Sequence, residues 1–185
     1  MSDFQDYLDK CTFCTDCFMS YAFDGDTELA TTLIQVLLNR DDLVALSCEA
    51  QTTAVSLNKE STFDILAQDT EGNLYDIEIQ NRIQSNEIKR ARYYSSALDT
   101  KFLNKGSDYN HLKENYVIFL LQGPVFKENE KPIYHFIMKE IENDKVLEDG
   151  RHILFVNLNY KFGYELDDKM NDLKYLFNDL NESEP

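Results

Sequence analysis

The chain has 185 residues, 43% of them hydrophobic, and 34 acidic against 18 basic residues give a formal net charge of −16. That length suits one domain with a sizeable core, read here as residues 1–185 with acidic extensions at both ends. No apolar run approaches the roughly 20 residues of a membrane span. The acidic opening MSDFQDYLDK lacks the basic flank of a signal peptide, so the expectation is a cytoplasmic protein with reduced thiols and no disulfide framework.

In chain order, CTFCTDC comes first and places Cys11, Cys14 and Cys17 at Cys-x2-Cys-x2-Cys spacing. Two readings are open: three ligands of an iron–sulfur cluster with Cys48 as a distant fourth, or a small apolar stripe of buried thiols. DTELATTLIQVLLNR puts Leu29, Leu33, Val36 and Leu37 on one helical face, with Asp26 or Thr27 as cap. LVALSCEAQTTAVSL, FDILAQ and LYDIEIQ then read as three strands of a meander, the last two joined by the turn residues DTEGN.

SNEIKRARYYSSALDTKFL reads as a second helix, with Ser85 as capping candidate and Ile88, Ala91, Tyr94 or Ser95, Leu98 and Phe102 as its stripe, ending by Gly106. The basic charge gathers there: Arg82, Lys89, Arg90, Arg92, Lys101 and Lys105 stand against only Glu87 and Asp99. Although a net charge of −16 argues against a polyanionic partner, this local excess leaves nucleic acid open. NYVIFLLQG reads as a fully buried strand, PIYHFIMKEI and HILFVNLN as a further hairpin, and DDKMNDLKYLFNDL as a closing helix carrying Met170, Leu173, Phe177 and Leu180. His111, His135 and His152 are scattered, and no phosphate-cradling glycine loop occurs.

The stretch FDILAQDTEGNLYDIEIQ sets an acid in each of two apolar strands. A hairpin turning at about Thr70 to Asn73 brings Asp64 opposite Glu78 or one position away. Alternation gathers Asp76, Glu78 and Gln80 on one face and Tyr75, Ile77 and Ile79 on the other. Neighbouring carboxylates repel, and a divalent cation held by oxygen ligands relieves them. A hairpin whose acids simply face solvent satisfies the same spacing.

The order α-β-β-β-α-β, with Asp on the second strand and Glu-x-Gln on the third, resembles the PD-(D/E)XK nuclease superfamily. The segments NKESTFDILAQDTEGNLYDIEIQ, KRARYYSSAL and KGSDYNHLKENYVIFLL, with a weaker echo in DCFMSYAFDGDTELATTLIQVLLN, resemble its recombination-promoting nuclease (Rpn) and transposase-like group. The resemblance implies an α/β, restriction-endonuclease-like fold: a central mixed sheet with an αβββαβ core flanked by helices, plus a C-terminal β-hairpin and helix. It implies a DNA endonuclease using Mg²⁺ or Mn²⁺, with Asp64, Glu78 and the main-chain carbonyl of Ile79 as metal ligands.

Gln80 takes the place of the motif lysine, where a neutral amide orients water but stabilises developing charge only in part. Phe63 precedes Asp64 where the superfamily name has proline. Arg90 and Tyr94 are implied phosphate or DNA contacts, or props of the catalytic strand, alongside Lys59 and Lys89. Glu28 stands where a helical acid would approach the metal. A homodimer is compatible with the family. Two other classes remain: an inactive relative that binds DNA or protein, and an acid-rich interaction protein in which Asp64 and Glu78 are incidental.

Overall fold

The computed structural model describes residues 21–54, 61–80, 85–126, 128, 131–160 and 168–177. Lys59, Arg82 and the cysteines at 11, 14 and 17 lie outside these. Helix α1 spans Thr27–Leu38, followed by β1 (Ala45–Ala54), β2 (Ser61–Asp69), β3 (Leu74–Gln80), helix α2 (Glu87–Phe102), β4 (Asn115–Leu121), β5 (Ile133–Phe136), β6 (Arg151–Asn157) and helix α3 (Asp168–Phe177). The strands form one six-stranded mixed sheet in the order β1-β2-β3-β4-β6-β5. This is an α/β, restriction-endonuclease-like architecture with the expected αβββαβ order at its centre.

Local sequence accounts for most of the elements. Asp26 caps α1, its Oδ1 accepting from the Leu29 N–H at 2.9 Å, and the helix ends at Asn39 in the left-handed region with φ 50°. Ala30, Leu33, Ile34 and Leu37 bury one stripe of α1 against Ile65, Tyr75, Ile77 and Ile118. Met170 and Leu173 of α3 join the same core. Helix α2 covers the opposite sheet face, with Ala91 and Leu98 against Leu66, Val117 and Phe119. All seven residues of β4 are buried, as befits a strand covered on both faces.

The turn between β2 and β3 is held by Asp69, 2% exposed. Its carboxylate accepts from the N–H groups of Glu71 and Asn73 at 2.9 Å each, from Asn73 Nδ2 at 3.0 Å and from the Tyr75 hydroxyl at 2.7 Å. Gly72 sits in this turn at φ 88°, a conformation that L side chains rarely adopt.

The expected C-terminal hairpin is present: β6 pairs antiparallel with β5 and, in register Phe119↔Phe155, parallel with β4, so both strands extend the main sheet. The buried β4 is thus paired on both of its edges, by β3 and by β6. Helix α2 is capped from Asn86, not Ser85, without a side-chain cap bond, and buries Glu87, Ala91, Ser95 and Leu98. Its stripe is rotated from the expected one, leaving Ile88 55% and Phe102 39% exposed. Tertiary packing against the sheet chose the face, and period alone did not specify it.

Candidate active site

The antiparallel ladder between β2 and β3 runs from Gln68↔Leu74 to Ile65↔Ile77, and the next facing pair is Asp64 and Glu78. There side chains replace main-chain pairing. The Asp64 N–H donates to Glu78 Oε1 at 3.1 Å, and the Ile79 N–H donates to Asp64 Oδ2 at 3.0 Å. Each acid is therefore held by the strand of the other, which fixes two carboxylates side by side at the end of the ladder.

Helix α2 adds the cation of the cluster. Arg90 donates from one terminal nitrogen to Glu78 Oε2 at 3.1 Å and to the Tyr94 hydroxyl at 3.2 Å, with its guanidinium 5.4 Å from the centroids of both the Tyr94 and Phe119 rings. The i, i+4 spacing puts Arg90 and Tyr94 on one helix face. Tyr94 is wedged edge-on against Phe63 and stacked on Phe119, so the packing of α2 on the sheet sets the guanidinium's place.

The face on which alternation gathers the acids is not open to solvent. Asp76 and Glu78 do share a face, but that face lies under α2, leaving them 0% and 1% exposed. Burial, then the charge of Asp64, pushes the Glu78 carboxyl up to about 8 despite Arg90 and the Asp64 N–H. Burial likewise drives Asp76 well above the usual carboxylate range, with the charges of Glu78 and Asp64 adding to it. The Tyr94 hydroxyl is raised by burial first and by Glu78 second. Three carboxyls thus meet one guanidinium, and the two buried ones hold their protons to higher pH than usual, a cost that a bound cation would relieve.

The structure brings Asp64, Glu78, Ile79, Arg90 and Tyr94 together. Gln80 closes β3, half-buried, its carbonyl accepting from the Gln122 N–H at 3.4 Å. Lys89 is exposed on α2 and lines a shallow apolar depression with Ile88, Arg92, Phe136, Met138 and Arg151. Glu28 lies exposed in the first turn of α1, the helix packed on the other face of the sheet, and is not part of the cluster on the α2 face. Lys59 is outside the described residues.

Sequence reading left out two participants. Gln51 of β1, between the pairs Ala50↔Ile65 and Thr52↔Phe63, donates from Nε2 to Asp64 Oδ1 at 3.3 Å. Its φ of 52° is rare for a side-chain-bearing residue and marks a locally imposed backbone, which no sequence pattern announces. Asp76 was within reach of strand alternation, but its burial was not.

A family model of PD-(D/E)XK nuclease family transposases matches residues 22–182. The chain belongs to that family. Comparison with curated proteins and with solved structures gave no match. PD-(D/E)XK nucleases generally use divalent metals and act on nucleic acids, and among the described residues no helix of this PD-(D/E)XK protein is long and apolar enough to cross a membrane.

The donor chemistry of the site fits a hard divalent cation. Its acidic groups are oxygen donors with a deficit of positive charge, and Mg²⁺ is commonly held by one or two carboxylates while keeping several waters. Among the described residues no three His, Cys, Asp or Glu side chains are arranged to close around an ion. In the arrangement seen here, coordination beyond the Asp64 and Glu78 pair would draw on main-chain carbonyl oxygen and water, unless a further side chain turns toward the ion.

Proposed function

We propose that this PD-(D/E)XK protein is a DNA endonuclease that hydrolyses phosphodiester bonds with Mg²⁺ or Mn²⁺. The observation that carries this reading is the pairing of Asp64 and Glu78 at the end of the β2–β3 ladder, cross-tied through each other's strands. Asp64, Glu78 and the Ile79 carbonyl would hold the cation, which when bound supplies Lewis acidity toward the phosphate and an acidified water.

The protein's own groups supply orientation. Arg90, anchored by Tyr94, holds the Glu78 carboxylate in place. Gln80, following Glu78 by two on the same strand face, would orient the attacking water through its amide. An amide contributes less charge stabilisation than a lysine ammonium, so slow turnover follows. Lys89, with Lys59, would meet the DNA backbone. The mutual engagement of Arg90 with Glu78 supports the positioning role over a phosphate grip.

The test is a nicking assay on supercoiled plasmid with Mg²⁺, Mn²⁺, Ca²⁺ or chelator. Slow cleavage with Mg²⁺ or Mn²⁺, absent in chelator and in Asp64→Asn and Glu78→Gln variants, is expected. Cleavage that persists in chelator, or in both variants, overturns the reading. Metal-dependent DNA binding without any cleavage would favour a binding module, a reading that Gln80 in place of lysine supports.

A further inference from the structure

Asp76 is the anomaly of the molecule. Its side chain is 0% exposed, and neither carboxylate oxygen accepts a hydrogen bond from any donor other than the neighbouring Glu78 carboxyl. Buried polar atoms are nearly always satisfied, and an exception signals stored strain, a chemical role or an absent ion. Its strand neighbours offer nothing: Leu66 lies across on β2 and Val117 across on β4, both apolar. The polar groups it meets are Glu78, two residues along on the same face, then Asp64 and, with the opposite sign, Arg90.

Arg90 is already bonded to Glu78 and Tyr94. Without a cation the donor within reach of Asp76 is a protonated Glu78, a bond that a bound cation would replace. A divalent cation supplies the missing interaction, because oxygen anions without donors are what a hard cation binds.

From this we infer that Asp76 is a third carboxylate of the cation centre, reaching the ion at ligand distance or through one coordinated water when Asp64 and Glu78 are loaded. The inference rests on the proposed cation site at Asp64 and Glu78 and extends it inward along β3. Among the described residues no three acidic side chains close around an ion, so cation binding would turn Asp76 or Glu78 from the arrangement seen here.

Mn²⁺ binding to the full chain, measured by titration calorimetry and by the electron paramagnetic resonance signal of free ion, tests this in wild type, Asp64→Asn, Glu78→Gln and Asp76→Asn. Asn is nearly isosteric and donates a hydrogen bond toward Glu78, so the melting temperature in chelator should hold or rise. Mn²⁺ affinity should fall by about 10- to 100-fold, the range for losing a supporting group of a metal site. Asp76→Asn binding like wild type while Asp64→Asn fails would make Asp76 a protonated packing residue and overturn this inference alone.

Wild type binding no Mn²⁺ would overturn the cation site and this inference together. A wild-type crystal grown with Mn²⁺ decides the point without substitution should the variant fold poorly. An Asp76 oxygen at ligand distance or one water from the ion is expected, and an Asp76 facing only apolar atoms overturns the assignment.

Discussion

Arg90 is committed before any nucleic acid arrives: it is 22% exposed and bonded to a Glu78 that is 1% exposed. Removing one partner of such a pair leaves the other charge stranded, a larger loss than deleting a surface ion pair. Arg90→Ala should lower stability by about 1 to 3 kcal/mol, seen as a drop in melting temperature of roughly 5 °C. The variant also separates two roles. A positioning residue that fails should weaken Mn²⁺ binding and cleavage while leaving the salt dependence of DNA binding in chelator unchanged. A phosphate contact that fails would instead reduce the slope of log affinity against log salt by about one unit.

At the scale of the element, the hairpin that carries Asp64 and Glu78 depends on its turn. Burial works against the Asp69 charge, but the hydrogen bonds from Tyr75, Asn73 and Glu71 outweigh it and hold the carboxyl below its usual range. A depressed pKa binds protons less tightly than the unfolded chain does. The turn's contribution is therefore complete above the unfolded value and is lost as pH falls through the folded one. Asp69→Ala strands three donors of the turn and the Tyr75 hydroxyl, and should cost on the order of 3 kcal/mol, roughly 10 °C in melting temperature. The penalty should shrink toward zero in acid, where wild type has also lost the bonds. Melting curves of both proteins from neutral pH down to strongly acidic buffer check this, and a pH-independent penalty would place the effect in packing.

At the scale of the whole molecule, the net charge of −16 opposes a polyanion, so the proposed DNA substrate would depend on local basic groups. The exposed basic residues of α2, Lys89 and Arg92 among them, face outward from the helix whose inner face holds Arg90. Lys89→Ala and Arg92→Ala should each weaken DNA binding uniformly across sequences and reduce the salt slope by about one unit, measured by fluorescence anisotropy over a salt series. Metal affinity should stay at the wild-type value in both. An unchanged slope would move the DNA surface away from α2. The same comparison in Arg90→Ala completes a three-way partition of one helix between nucleic acid and metal site.

How much of this was legible in advance follows from the range of each interaction. The facing of Asp64 and Glu78 is local: a tight turn of DTEGN and a period of two bring the pair together to within one position, and the sheet settled which register is formed. The cap at Asp26 and the buried β4 are local in the same sense. The rotation of α2, the insertion of β6 beside β4, the left-handed Gln51 and the full burial of Asp76 arise from contacts between segments distant in the chain. Alternation names the face on which Asp76 lies; only the helix packed over that face decides whether the carboxylate meets water or nothing. The sequence by itself determined the pair of acids, Asp64 and Glu78, at the centre of the candidate site. Tertiary packing decided their charge balance, because desolvation depends on what covers a group and not on its neighbours along the strand.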